Sequence, residues 1–179
     1  MRTALIRLLV AGTIAVTGLL SLIGTASASA GKENDPVVSA PAGGVTILVT
    51  KLTQAQATSM LRSSGITWSS SGNCSDRNNP TCTSFEQVNL ATIQGAQTLK
   101  RASGCALNIT GGTETGHASG TYSHWNGYKL DFSLSSCLTG YIQRNFTSIG
   151  GGKWQSAAGN IYFLESNHWD VTYFNCGGC

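Results

Sequence analysis

The chain has 179 residues and a formal charge of +3, with 11 Lys and Arg against 8 Asp and Glu. So even a balance gives no basic footprint for a polyanion and argues against nucleic acid as a partner. Part of that charge is also transient: Arg2 and Arg7 precede an apolar run from Leu8 to Ile23 and the small-residue tip Thr25-Ala26-Ser27-Ala28-Ser29-Ala30.

Charged, then apolar, then small is the order of a secretory signal peptide, with cleavage expected after Ala30 or Ala28. The uncharged run is long enough to serve as a retained anchor. The hydrophilic start Gly31-Lys32-Glu33-Asn34-Asp35-Pro36 reads better as a new terminus. Removing residues 1–30 takes the formal charge from +3 to about +1 and leaves roughly 150 residues, enough for one domain with one core. Residues 31–44 read as a flexible lead-in and 45–179 as the domain. The expected product is a secreted, monomeric protein with no membrane contact after cleavage.

In chain order, Val45 to Thr50 is a β-branched run and reads as a strand. Thr53-x-x-Gln56 offers a capping box ahead of Ala55, Ala57, Met60 and Leu61, with Gly65 as the stop, and predicts a helix over 53–63. Ser84-x-x-Gln87 repeats the signal. Val88, Leu90, Ala91, Ile93, Ala96 and Leu99 follow at helical spacing, and Gly104 closes a second helix after Lys100 and Arg101.

Then the period changes. Residues 105–110 read as a core strand, and Gly111-Gly112 opens a loop of small and polar residues. From Tyr128 the chain alternates: Tyr128, Leu130, Phe132 and Leu134 share one face, Lys129, Asp131 and Ser133 the other. A third helix is expected over 136–147, a hairpin from 153–157 and 161–164 around Ala158-Gly159-Asn160, and a last strand over 168–174. Helices first and strands afterwards predict an α+β domain, with a central antiparallel sheet and helices packed on one of its faces.

Six cysteines, Cys74, Cys82, Cys105, Cys137, Cys176 and Cys179, are an even number in an exported chain and predict three disulfides. Cys176-Gly177-Gly178-Cys179 has zinc-like spacing, but no second tight Cys or His pair accompanies it. Cys74 with Cys82 is the expected local bridge; the other pairings stay open.

Two segments carry the chemistry. His124-x-x-Gly127-x-x-x-Asp131, directly preceded by Ser123, and the later Glu165-x-x-His168 together supply two imidazoles and two carboxylates. Three nitrogen or oxygen ligands plus a nearby carboxylate are the stoichiometry of a catalytic zinc site with an open position for water. Read singly, His124 suits a surface loop, Asp131 a solvent-facing strand position, and Glu165 with His168 a turn with a local ion pair. His117, beside Glu114, reads either as a substrate or transition-state contact or as a loop histidine. Trp125, Tyr128, Trp154, Tyr162, Trp169 and Tyr173 could line a groove for glycan or peptide, or fill the core.

Over roughly Leu52 to Phe174, the order and spacing of these motifs resemble the zinc D-alanyl-D-alanine peptidases of the lysostaphin, D-Ala-D-Ala metallopeptidase and hedgehog superfamily. The resemblance implies a hedgehog/DD-peptidase-like fold, His124, Asp131 and His168 as ligands of Zn2+, and Glu165 as general base and acid. It implies hydrolysis of peptidoglycan peptide amides. Apart from the resemblance, His117, Glu114 and Trp169 stand as candidate substrate contacts. Where that family carries an Arg that anchors a substrate carboxylate, this chain has Glu114 in Gly111-Gly112-Thr113-Glu114, which would repel such a group. Two other readings stand beside it: a non-catalytic, disulfide-stapled cell-surface binding module of the same fold, and a secreted protease for ordinary proteins.

Overall fold

A computed structural model describes residues 49–174. The leader over 1–30, the lead-in over 31–44, most of the strand expected at 45–50 and the pair Cys176 and Cys179 lie outside these residues. Among the described residues, no helix is long and apolar enough to cross a membrane.

The elements run β1 (Lys51–Leu52), α1 (Gln54–Ser63), β2 (Thr67–Trp68), β3 (Val88–Asn89), α2 (Leu90–Ser103), β4 (Asn108–Gly111), β5 (Lys129–Ser133), α3 (Ser136–Asn145), β6 (Thr147–Gly150), β7 (Lys153–Gln155), β8 (Ile161–Leu164) and β9 (His168–Thr172). The domain is α+β, as expected. The capping box of α1 is formed in both directions, Gln56 N–H donating to Thr53 Oγ1 and Thr53 N–H to Gln56 Oε1. Two strands, β1 and β3, form a small antiparallel ladder, and seven form the main sheet in the order β2-β4-β5-β9-β8-β7-β6.

That main sheet corrects the expectation of a purely antiparallel one, because β2 pairs parallel with β4. Between them the chain makes a crossover through α2, which returns it in the same direction. A second correction concerns Ser84-x-x-Gln87, which caps no helix. Ser84 N–H instead donates to Glu114 Oε2, Gln87 has φ +65, and Val88 and Asn89 pair with β1, so α2 starts only at Leu90. The third helix stops at Asn145, and 147–150 becomes the edge strand β6.

Register gives the main sheet two unlike faces. Ile109, Phe132, Trp169 and Leu164 stand opposite one another across β4, β5, β9 and β8, and Leu130, Val171 and Tyr162 form the next such row. These side chains join one apolar cluster with Ala57 and Leu61 of α1, Ile93, Ala96 and Leu99 of α2, and Leu138 and Ile142 of α3. The other face carries Gly111, Lys129, Asp131, Ser133, His168 and Asp170. Among the described residues, two disulfides fasten the domain: Cys74–Cys82, as expected, and Cys105–Cys137, which ties the segment after α2 to the start of α3.

Tyr162 and Tyr173 are buried, and burial pushes both phenol pKa values up. The native state therefore keeps those protons after the unfolded chain, whose tyrosines ionise near pH ~10, has begun to lose them. This stabilisation is whole below about pH 10 and is lost as pH rises above it. Urea midpoints should fall above about pH 10, and the Tyr162→Phe/Tyr173→Phe double variant should flatten that part of the fall. Because the Tyr173 hydroxyl is buried with no hydrogen-bond partner among the described residues, Tyr173→Phe alone should also gain about 1 kcal/mol at neutral pH.

Candidate metal centre

Asp131 lies in mid-β5, between β4 and β9. Its Oδ1 is 3.3 Å from His124 Nε2 and 3.5 Å from His168 Nε2, and its Oδ2 is 3.9 Å from His117 Nδ1. That Oδ1 is buried and makes no hydrogen bond of good geometry. The carboxylate fits because the opposing residue on β4 has no side chain: a Cβ on Gly111 would lie 2.2 Å from Asp131 Oδ2.

His124 is set by the loop between β4 and β5. Gly127 N–H donates to His124 O and Tyr128 N–H to Ser123 O, closing a turn around the histidine. Gly127 takes φ +78, and a Cβ there would lie 2.6 Å from Gln87 O, so the third position after the histidine requires glycine. The His124 ring is completely buried, with Nδ1 2.7 Å from the Gly112 carbonyl. A carbonyl can only accept, so Nδ1 carries a proton and Nε2 is the atom presented to Asp131.

Glu114 holds the same loop from inside. Its carboxylate accepts from Ser84 N–H at 2.7 Å and Gly112 N–H at 3.1 Å, and Oε1 lies 3.3 Å from His117 Nε2. His117 in turn stacks on His124, with ring centroids 3.8 Å apart and planes inclined by 19°. From the other side come Glu165 and His168. A hydrogen bond from Glu165 N–H to His168 O closes the β8–β9 turn and sets the two side chains together, Oε2 being 3.4 Å from Nε2. Asn167 Oδ1, 2.7 Å from His168 Nδ1, holds that ring in place.

Behind these groups, Lys129 Nζ meets Asp170 Oδ2 at 2.6 Å, both side chains being buried, and that oxygen is 3.8 Å from His124 Nε2. Burial alone would lower the His124 pKa, but the carboxylates of Asp131 and Asp170 outweigh it and hold the imidazole well above its usual range. Burial likewise raises Asp131, yet His124 overrides it and the net shift is downward. The site therefore favours positive charge between His124 and Asp131. A proton or a cation can occupy that place.

The pocket floor is closed and its rim is open: His124 is fully buried, whereas the His117, His168 and Glu165 side chains are 17%, 22% and 24% exposed. His117, His124 and Asp131 each offer a ligand atom within 4.8 Å of the other two, a group able to hold a metal ion. Thus the fold gathers His117, His124 and Asp131 into one group, which His168 joins through Asp131 Oδ1 and Glu165 through His168, with Glu114 beside His117. Trp169 is not among them and is a correction: it follows His168 by one residue in a strand, so it points to the opposite face. There it is fully buried against Trp154, and its Nε1–H donates to Thr139 Oγ1. The sequence reading missed Asp170 and Lys129, although Lys129 was visible on the Asp131 side of the alternation. It also missed the Gly112 carbonyl, a backbone group with no sequence signal.

No family model, curated protein or solved structure matches the chain.

Gly111→Ala should push the Asp131 carboxylate off its position and weaken metal retention, measured by equilibrium dialysis, while leaving the far-ultraviolet circular dichroism unchanged. Lys129→Met leaves the Asp170 carboxylate buried without its cation and should cost about 3–5 kcal/mol in chemical denaturation.

Proposed function

We propose that this chain is a secreted, zinc-dependent peptidase that hydrolyses amide bonds of peptidoglycan peptides, with the hedgehog/DD-peptidase-like fold. The observation that carries the reading is the buried Asp131 Oδ1, within 3.3 and 3.5 Å of two imidazole nitrogens and without a hydrogen bond of good geometry among the described residues. The donor set suits zinc: two imidazoles and one carboxylate, with a further carboxylate beside them. The two disulfides fit an oxidising compartment.

Ring geometry favours His168 over His117 as the third ligand. An imidazole coordinates through a lone pair in its own plane. Two rings stacked 3.8 Å apart and inclined by 19° cannot both aim such a pair at one nearby point. His168 has no such conflict, and its Nε2 faces the same carboxylate oxygen as that of His124. We therefore assign His124, Asp131 and His168 as ligands and place His117 on the rim as a substrate contact.

When bound, zinc supplies Lewis acidity, which lowers the pKa of a coordinated water and polarises a carbonyl. The remaining work falls to the chain. The Glu165 side chain is partly exposed, with Oε2 beside His168 and Oε1 turned inward without a hydrogen bond among the described residues, and it is the carboxylate that would take the proton of the attacking water and return it to the leaving amine nitrogen. The Gly112 carbonyl and Asn167 hold the imidazoles in orientation. Glu114, occupied by two backbone N–H groups and His117, holds the loop, so its charge is compensated from within the protein and not by substrate.

Zinc-loaded protein incubated with purified muropeptides should yield paired products whose masses sum to substrate plus one water, and a chelator should abolish them. Stoichiometric zinc with no cleavage would favour a non-hydrolytic binding module, and cleavage of casein but not of muropeptides would favour a general protease. His168→Ala should weaken zinc binding by about 100-fold or more and His117→Ala by less than about threefold, measured by competition with a chromophoric chelator. Glu165→Ala should retain zinc and lose turnover by about 10²–10⁴-fold.

A further inference from the structure

Arg77 belongs to the loop that the Cys74–Cys82 disulfide closes, and it reaches out of that loop to the metal-site loop at three places. Its Nε donates to Thr113 O at 3.2 Å, its Nη2 donates to Trp125 O, and its own carbonyl accepts Thr115 N–H at 2.9 Å. The guanidinium also lies 3.7 Å from the centroid of the Trp125 ring, which is 42% exposed. Thr113 directly follows Gly112, the acceptor of the His124 Nδ1 proton, and Trp125 directly follows His124. Arg77 thus grips the neighbour of each end of the hydrogen bond that orients His124.

We propose that Arg77 is a positioning residue for His124, and that the Cys74–Cys82 disulfide holds it to that task by closing the loop that carries it. Two carbonyls and an aromatic face arranged around one side chain call for a planar, multiply donating cation, which Lys does not provide. Without the disulfide, the loop keeps backbone hydrogen bonds such as Cys82 N–H to Asn79 O and Thr83 N–H to Cys74 O, but the reach of Arg77 is no longer fixed. The consequence for zinc rests on the reading above, whereas the consequence for the imidazole does not.

Two measurements separate them. In metal-free protein, solvent exchange of the His124 Nδ1 proton, followed by NMR, should accelerate by about tenfold or more in Arg77→Met and in Cys74→Ser/Cys82→Ser. Combining all three substitutions should add less than about twofold, because both act through one clamp. Arg77→Lys should behave like Arg77→Met and decides the matter if the latter does not fold. Cys105→Ala/Cys137→Ala should lower the thermal midpoint yet leave His124 exchange within about twofold, which separates positioning from general stability. Zinc affinity should fall by about 10–100-fold in parallel. Unchanged His124 exchange in folded Arg77→Met and Arg77→Lys would overturn the proposal. Failure of the unmodified protein to bind zinc would overturn the metal reading alone, with the exchange result still deciding the role of Arg77.

Discussion

Between Leu130 and Phe132, both fully buried in the apolar cluster, β5 must turn Asp131 to the other side of the sheet. That alternation is the constraint on which the rest depends. A strand has a period of two, so anchoring its apolar residues in the core fixes its polar residues on the opposite face with no freedom to slip. The same rule acts on β9, where Trp169 and Val171 go to the core and His168 and Asp170 come to the site. Packing energy spent on one face thereby positions the ionisable groups on the other. The helices supply none of the ionisable groups of the site, yet they hold it in register, and Thr92 of α2 donates to the Gly127 carbonyl.

Burying those groups is costly, and the structure offsets the cost locally. Asp170 has Lys129, Glu114 has two backbone N–H groups and an imidazole, and His124 has a carbonyl at one nitrogen and a carboxylate at the other. Asp131 has charge partners but, among the described residues, no hydrogen bond of good geometry at Oδ1. A carboxylate oxygen held among imidazole nitrogens in this way is costly for a purely structural protein and expected at a functional centre.

Much of this was legible in the chain. The capping box of α1, the hairpin β7–β8 and the two-faced pattern of β5 each carry a local physical signal, and each appears where that signal puts it, as does the Cys74–Cys82 bridge. The misses have more than one cause, the first being that tertiary partners overrode local preference. Ser84 looks like a helix cap until Glu114, thirty residues on, takes its N–H. β2 is two residues long, and β6 is exposed throughout, so neither shows an alternation to read. Within the site, residue types and spacing pointed to His124, Asp131, Glu165 and His168. Of the two roles open to Trp169, groove or core, the strand decides for the core, because it puts Trp169 on the face opposite His168.

The position of β9 bears on how the chain can fold and break. It is the last strand of the described chain, yet it sits near the centre of the sheet, between β5 and β8. Until it arrives, the β5 side and the hairpin side each present an unpaired edge, and the apolar residues of both lie open to other chains. The β5–β9 pairing must therefore come last in any folding sequence that follows chain order, and its partners lie 35 to 43 residues apart, which slows closure. A chain cut before His168 loses the middle of its sheet, not its margin, and the two fragments left behind have edges suited to aggregation.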